Sequence, residues 1–273
     1  MFEIGVMLNN LERDRIKAWS VPSALGFHVV HASGLPESWL TNNKPEMDAY
    51  LQAARGSGLR IHTLFIGFDA QSYADPGTAA RTVGLAVPLQ RAHRLQIAKQ
   101  YTSVAVALGT AYLAMHVGRW DRDYSAVLDA VAIIADRCAE HGLRLNLETG
   151  QESAVALRQF IEDLGRPNVG VNFDPANFIL YGTDDPRAAL DVLGPWVRGV
   201  HCKDALGATV PGRMGTDVPL GQGVVNFVDL LRGLVSIGYH GPLVLEREHD
   251  PSIRADVEHG RAYLQGLLVD LEA

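Results

Sequence analysis

Two cysteines, Cys138 and Cys202, are all that the 273 residues carry. That is too few for a disulfide framework, and the location this suggests is a reducing cytoplasm. Positive charge is also in short supply: 24 Lys and Arg stand against 31 Asp and Glu, a formal net charge of −7. No block of Lys or Arg offsets that balance, which argues against nucleic-acid partners and anionic membrane surfaces, since both need a cationic field. No long hydrophobic run is present. The longest apolar stretch, residues 104–115, is interrupted by Gly109 and Thr110 and falls short of the roughly 20 residues that span a bilayer. Residues 1–5 lack the positive start and apolar run of a secretory signal, so a soluble protein is expected. Also missing are a Gly-x-Gly-x-x-Gly after an early strand, a Walker loop, a Ser-His-Asp order and a CxxC pair. No Gly/Ser linker or low-complexity segment divides the chain, and a single domain over residues 1–273 is expected.

What is present is an ordinary globular composition, 47% apolar and 20% charged. A chain this long buries about three quarters of its unfolded surface and needs neither disulfide nor structural metal to hold a core. Eight short apolar, β-rich runs recur, at residues 4–8, 26–31, 60–66, 112–117, 143–148, 169–174, 197–201 and 243–246. Helical period separates most of them. Val127, Leu128, Val131, Ile134, Ala135 and Cys138 repeat at threes and fours before Gly142. Ala154, Leu157, Phe160, Ile161 and Leu164 do the same before Gly165, as do Phe227, Leu230, Leu231, Leu234 and Ile237 after the N-cap candidate Asn226. Eight alternating units in a chain near the ~250 residues of a (β/α)8 barrel predict a TIM barrel over an open doubly wound sheet. Residues 67–88 and 203–223 are long connections after strands, which places both on the barrel face where active sites form.

The strand ends carry the chemistry. The fifth run finishes in Glu148, the sixth in Asp174, the seventh in His201 and the eighth in Glu246. An apolar strand that ends in an acid carries a desolvation cost unless something compensates the charge. Three acids and one imidazole at neighbouring C-terminal strand ends converge near the barrel axis, and a divalent cation relieves their repulsion. One nitrogen among oxygens suits Mn²⁺, Mg²⁺ or Co²⁺ better than a sulfur-seeking ion, with Zn²⁺ an alternative.

The segments Leu147-Glu148-Thr149-Gly150-Gln151-Glu152, Asn172-Phe173-Asp174-Pro175-Ala176-Asn177, His201-Cys202-Lys203-Asp204, Pro219-Leu220-Gly221-Gln222-Gly223 and Glu246-Arg247-Glu248 resemble the sugar phosphate isomerase/epimerase group of xylose isomerase-like barrels. That group includes ketose 3-epimerases and the ribulose- and hexulose-phosphate epimerases and isomerases. The likeness is strongest over residues 143–268. It implies one divalent metal, Mn²⁺ first, on Glu148, Asp174, His201 and Glu246, with the two glutamates flanking a small sugar. A metal that chelates a ketone oxygen and the adjacent hydroxyl stabilises an enediolate, and a carboxylate on each face moves the proton. Proton return to the opposite face gives epimerisation; return to the adjacent carbon gives isomerisation. Asn177 stands where free-ketose 3-epimerases carry a histidine, and Gly207 where they carry an arginine, while Lys203 fits a branch with Lys after the metal histidine.

Other readings remain open at this point. A lyase or hydratase of 3-keto-glycosides would use the same site to expel a leaving group, and a non-catalytic sugar-binding barrel would need no opposed glutamates. DNA cleavage, known among endonuclease relatives, is disfavoured by the charge of −7. Five further residues are substrate-binding candidates: His116 at the fourth strand end, Asn177, Lys203, His31 and His62. Lys203 has an ion pair with Asp204 or Glu248 as its alternative, and His62 a hydrogen-bonded place in the core. Arg119 and Trp120 read as loop packing, Arg247 as an ion-pair partner, and Cys138 and Cys202 as core thiols. No interface stripe stands out, and a homo-oligomer stays open.

Overall fold

Eight parallel strands close on themselves in the computed structural model, which describes residues 2–248 and 252–272. Met1, part of the amino-terminal segment read for a signal, lies outside these. The strands are Ile4–Met7, Val29–Ala32, Arg60–Phe65, Tyr112–Met115, Arg144–Glu148, Val169–Phe173, Val197–Cys202 and Leu243–Leu245. Each pairs with its neighbours in sequence, and Ile4 opposite Leu243 joins the last to the first. This is the (β/α)8 barrel that the alternating pattern predicts. Strands buried on both faces need continuous apolar runs rather than alternation, and Val200, Leu243, Val244, Leu145 and Leu147 are all fully buried.

The helices form where the apolar period runs. Tyr124–Glu140 buries Val127, Ala130, Val131, Ile134, Ala135 and Cys138 along one stripe. Ala154–Leu164 opens with Ser153 accepting the Ala156 N–H and closes at Gly165, whose φ of 60° suits a left-handed cap. Phe227–Ser236 opens with the Asn226 side chain accepting from the Asp229 N–H.

Both long connections hold structure of their own. Within 67–88 lies the helix Pro76–Thr82, capped by Asp75. Arg94 then ties the segment down by donating to the Gly84 and Thr82 carbonyls at 2.6 and 2.8 Å. Gly84 has φ +69°, and a Cβ there would overlap the Val117 carbonyl, so only glycine lets this loop close onto the end of the fourth strand. Within 203–223, Asp204–Leu206 pairs antiparallel with Thr216–Val218. Among the described residues no helix is long and apolar enough to cross a membrane.

Candidate metal centre and active site

Four strand ends meet at one point. Glu148 is the last residue of the fifth strand, His201 lies in the seventh and Glu246 follows the eighth. Asp174 follows the sixth and caps the helix Pro175–Tyr181, its Oδ1 accepting the Ala176 and Asn177 N–H groups at 2.9 and 3.3 Å. That cap fixes the carboxylate and leaves Oδ2 for the site. Thr149 binds the fifth strand end to the sixth: its hydroxyl donates to the Asp174 carbonyl and accepts the Asp174 N–H. One ligand atom from each of the four residues lies within 4.8 Å of every other. His201 Nδ1 stands 3.0 Å from Glu246 Oε2, 3.2 Å from Glu148 Oε1 and 4.0 Å from Asp174 Oδ2.

These groups fit a divalent cation. Glu148 Oε2 and Asp174 Oδ2 are buried without a hydrogen-bond partner, a condition that costs free energy unless an ion satisfies them, and His201 Nδ1 faces only carboxylate oxygens. Burial raises the Asp174 carboxyl to about 8, with Glu246 and Glu148 pushing the same way against Lys203. Burial would also raise Glu246, but His201 and Lys203 beside it hold it below the usual carboxylate range. Burial works to lower His201, yet Glu246 and Glu148 carry it well above an ordinary histidine. An oxygen-rich set with one imidazole nitrogen is therefore a candidate metal-binding group.

A cleft of about 1680 Å³ opens over this group. Gln71 and Tyr73 of the first long connection and Met214 and Asp217 of the second border it, as their placement after strands predicts. His116, Asn177 and Lys203 also line it. His116 is lowered by burial, and the Tyr73 ring packs 5.3 Å from it. Asn177 donates to the Thr149 carbonyl at 2.8 Å. Lys203 Nζ lies 2.5 Å from Glu248 Oε1, 3.6 Å from Glu246 Oε2 and 3.7 Å from Asp174 Oδ2. Of its two anticipated partners, Glu248 is the one in reach. The fully buried Asp204 instead accepts the N–H groups of Ala205, Gly221, Gly223 and Val225. It is the organiser of the Pro219–Gly223 turn.

Two expected substrate contacts need correction. His31 and His62 do not border the cleft; they lie beneath the four strand ends. His31 is fully buried, with Nδ1 3.0 Å from His201 Nε2 and Nε2 3.1 Å from His62 Nδ1. Their side chains point into the barrel interior, where they bond to one another. Burial lowers both imidazoles, His62 to about 4. The remaining readings agree with the structure: Trp120 packs on Phe160 and Arg119 pairs with Asp121. Arg247 pairs with Asp217 and Asp256, and both cysteines are buried. Phe65 escaped notice in the sequence although it ends the third strand. Its ring lies 5.1 Å from that of His201, nearly parallel, and borders the cleft.

The chain's class follows from its relatives. It belongs to the xylose isomerase-like TIM barrel family, whose model matches residues 23–267. A xylose isomerase domain protein from Planctomyces limnophilus superposes with a TM-score of 0.83 at 39% identity, over 89% of each chain. Ketose 3-epimerase of Arthrobacter globiformis is 26% identical over 185 residues, 64% of this chain and 54% of that protein. Inosose dehydratase of Geobacillus thermodenitrificans (strain NG80-2) is 23% identical over 158 residues, 51% of this chain and 52% of that protein. The chain spans about half the length of these two curated relatives.

Proposed function

We propose that the protein is a divalent-metal-dependent sugar isomerase or epimerase that acts on a ketose, a ketose phosphate or a related keto-sugar through an enediolate. The observation that carries this reading is the convergence of Glu148 and Glu246 on His201 Nδ1, at 3.2 and 3.0 Å, on the floor of a cleft. When bound by Glu148, Asp174, His201 and Glu246, a divalent ion would draw charge from the substrate carbonyl and acidify the neighbouring C–H. Mn²⁺ is our first choice, with Mg²⁺, Co²⁺ or Zn²⁺ as alternatives.

The proton work belongs to the glutamates. One carboxylate takes the proton from the carbon between carbonyl and hydroxyl, leaving its electron pair in the enediolate. The other, in its acid form, delivers a proton to the opposite face of the same carbon, and the epimer forms. Solvent exchange resets the two carboxyls. Return of the proton to the former carbonyl carbon, with the hydroxyl proton passing to the former carbonyl oxygen, shifts the carbonyl by one carbon and gives isomerisation instead. Lys203 and Asn177 supply polar contacts for substrate oxygens, and the Tyr73 and His116 rings, packed at an angle to one another, supply an aromatic wall for a sugar ring.

A second reading draws on inosose dehydratase among the relatives: the enediolate expels a β-hydroxyl as water rather than regaining its proton. One experiment tests both. Metal-loaded protein is incubated in D₂O with pooled ketoses, ketose phosphates and keto-sugars, and the products are read by mass spectrometry. We expect one deuterium at the carbon beside the carbonyl, abolished by chelator and reduced about a hundredfold or more in Glu148→Gln and Glu246→Gln. Loss of one water from a substrate moves the assignment to the dehydratase reading. Absence of both changes with a metal-loaded protein overturns the proposal.

A further inference from the structure

Below the strand ends the barrel interior is polar where a packed apolar plug is the norm for this architecture. Three imidazoles from three strands join there in one chain: His201 Nε2 to His31 Nδ1 at 3.0 Å, and His31 Nε2 to His62 Nδ1 at 3.1 Å. The Thr63 hydroxyl lies 2.9 Å from the same His62 Nδ1. Neighbouring rings hold the chain in place. His62 stacks on Tyr112 with centroids 4.8 Å apart, and Phe65 lies against both His201 and His31. The seventh strand makes room by carrying Gly199, where a Cβ would overlap the Asn172 side chain and meet His31 Cε1 at 3.7 Å.

Each link in such a chain needs one donor and one acceptor, and a neutral imidazole offers one of each. Polarity fixed at one end therefore propagates to the other. If His201 offers Nδ1 to a cation, Nδ1 must be bare and the ring proton must sit on Nε2. That proton faces His31 Nδ1, which must then accept. His31 in turn carries its proton on Nε2 and donates it to His62 Nδ1. In this polarity the His201–His31 and His31–His62 links each have one donor and one acceptor, and the opposite polarity places a proton on His201 Nδ1.

We propose that His31, backed by His62, is a positioning residue that holds His201 in its Nε2–H form and fixes its ring plane, so that Nδ1 is presented to a divalent ion. The inference rests on the metal reading of the four-residue site, and His31 itself touches neither ion nor substrate. Partners of metal-bound histidines that accept the second ring proton typically strengthen binding ten- to a hundredfold.

Two measurements test it. In metal-free, ¹⁵N-histidine-labelled protein, long-range ¹H–¹⁵N spectra are expected to place the His31 proton on Nε2 and leave Nδ1 bare; a proton on His31 Nδ1 overturns the proposal. Calorimetric titration with Mn²⁺ then compares variants. His31→Leu is expected to bind about 10- to 100-fold more weakly. His31→Asn, which keeps an acceptor near the Nδ1 position, is expected to stay within about threefold of the parent. Metal-free unfolding midpoints of both variants are expected to match each other, which separates the acceptor from simple packing. Equal loss in the two variants, or no loss in either, overturns the role. A parent protein that binds neither Mn²⁺, Mg²⁺ nor Co²⁺ removes the metal reading, and the spectra still decide the polarity of the chain.

Discussion

Replacing Asp204 with alanine is expected to destabilise the protein by about 4 kcal/mol, although this residue does no chemistry in our reading. Its carboxylate is 1% exposed and accepts four backbone N–H groups from both ends of the second long connection. Oδ1 takes Ala205 at 2.9 Å and Val225 at 3.1 Å; Oδ2 takes Gly221 and Gly223, each at 2.9 Å. The first two bonds are buried, and the other two are partly within reach of water. A buried donor left without its acceptor costs about 1–3 kcal/mol, so the Ala205 and Val225 groups alone account for about 4 kcal/mol. The two glycine donors add less because water replaces the carboxylate, and release of a buried charge offsets that remainder. Urea unfolding of the metal-free parent and variant measures the difference. The turn that Asp204 anchors leads to the exposed Gln222, so Gln222→Ala is the control, expected within about 0.5 kcal/mol of the parent. Hydrogen exchange at Gly221, Gly223 and Val225 is expected to accelerate in Asp204→Ala. A loss below about 1 kcal/mol with unchanged exchange at these amides would refute the reasoning.

Metal should stabilise the fold by mass action: at a free concentration a hundredfold above Kd, a bound ion adds about 2.7 kcal/mol. Thermal unfolding with and without Mg²⁺ or Mn²⁺ checks this, and Asp174→Asn or Glu246→Gln is expected to abolish the shift; a shift that survives both substitutions points to a different site. His62 makes a pH signature. Its folded pKa of about 4 lies below the ordinary histidine value of 6.5 because burial disfavours the imidazolium, so the unfolded chain takes up a proton that the folded chain refuses. Stability from this group is complete above about pH 6.5 and is lost as pH falls toward 4, amounting to roughly 3 kcal/mol. Urea midpoints of metal-free protein at pH 7 and pH 4 are expected to differ less in His62→Gln than in the parent, and equal differences would count against a neutral His62.

Local patterns in the chain determined a good deal. Strands and helices alternate because apolar residues repeat continuously in one and at threes and fours in the other, and those periods need no knowledge of what packs against them. Glu148, Asp174, His201 and Glu246 were legible because each ends such a run, and parallel strands in a closed barrel bring their ends to one rim. Even the helix Pro76–Thr82, hidden in a presumed loop, had a local signal in Asp75-Pro76, a cap followed by a preformed first turn. What surrounds the four strand ends was decided only when the barrel closed. His31 meets His201 across 170 residues, and Lys203 chooses Glu248 across 45. Neither choice is written in spacing, because it depends on which side chains share a height inside the barrel and which oxygen remains unclaimed. Asp204 shows the same limit: beside a candidate substrate contact in sequence, it is turned by four converging N–H groups to hold a loop, and Lys203 is left free to face the site.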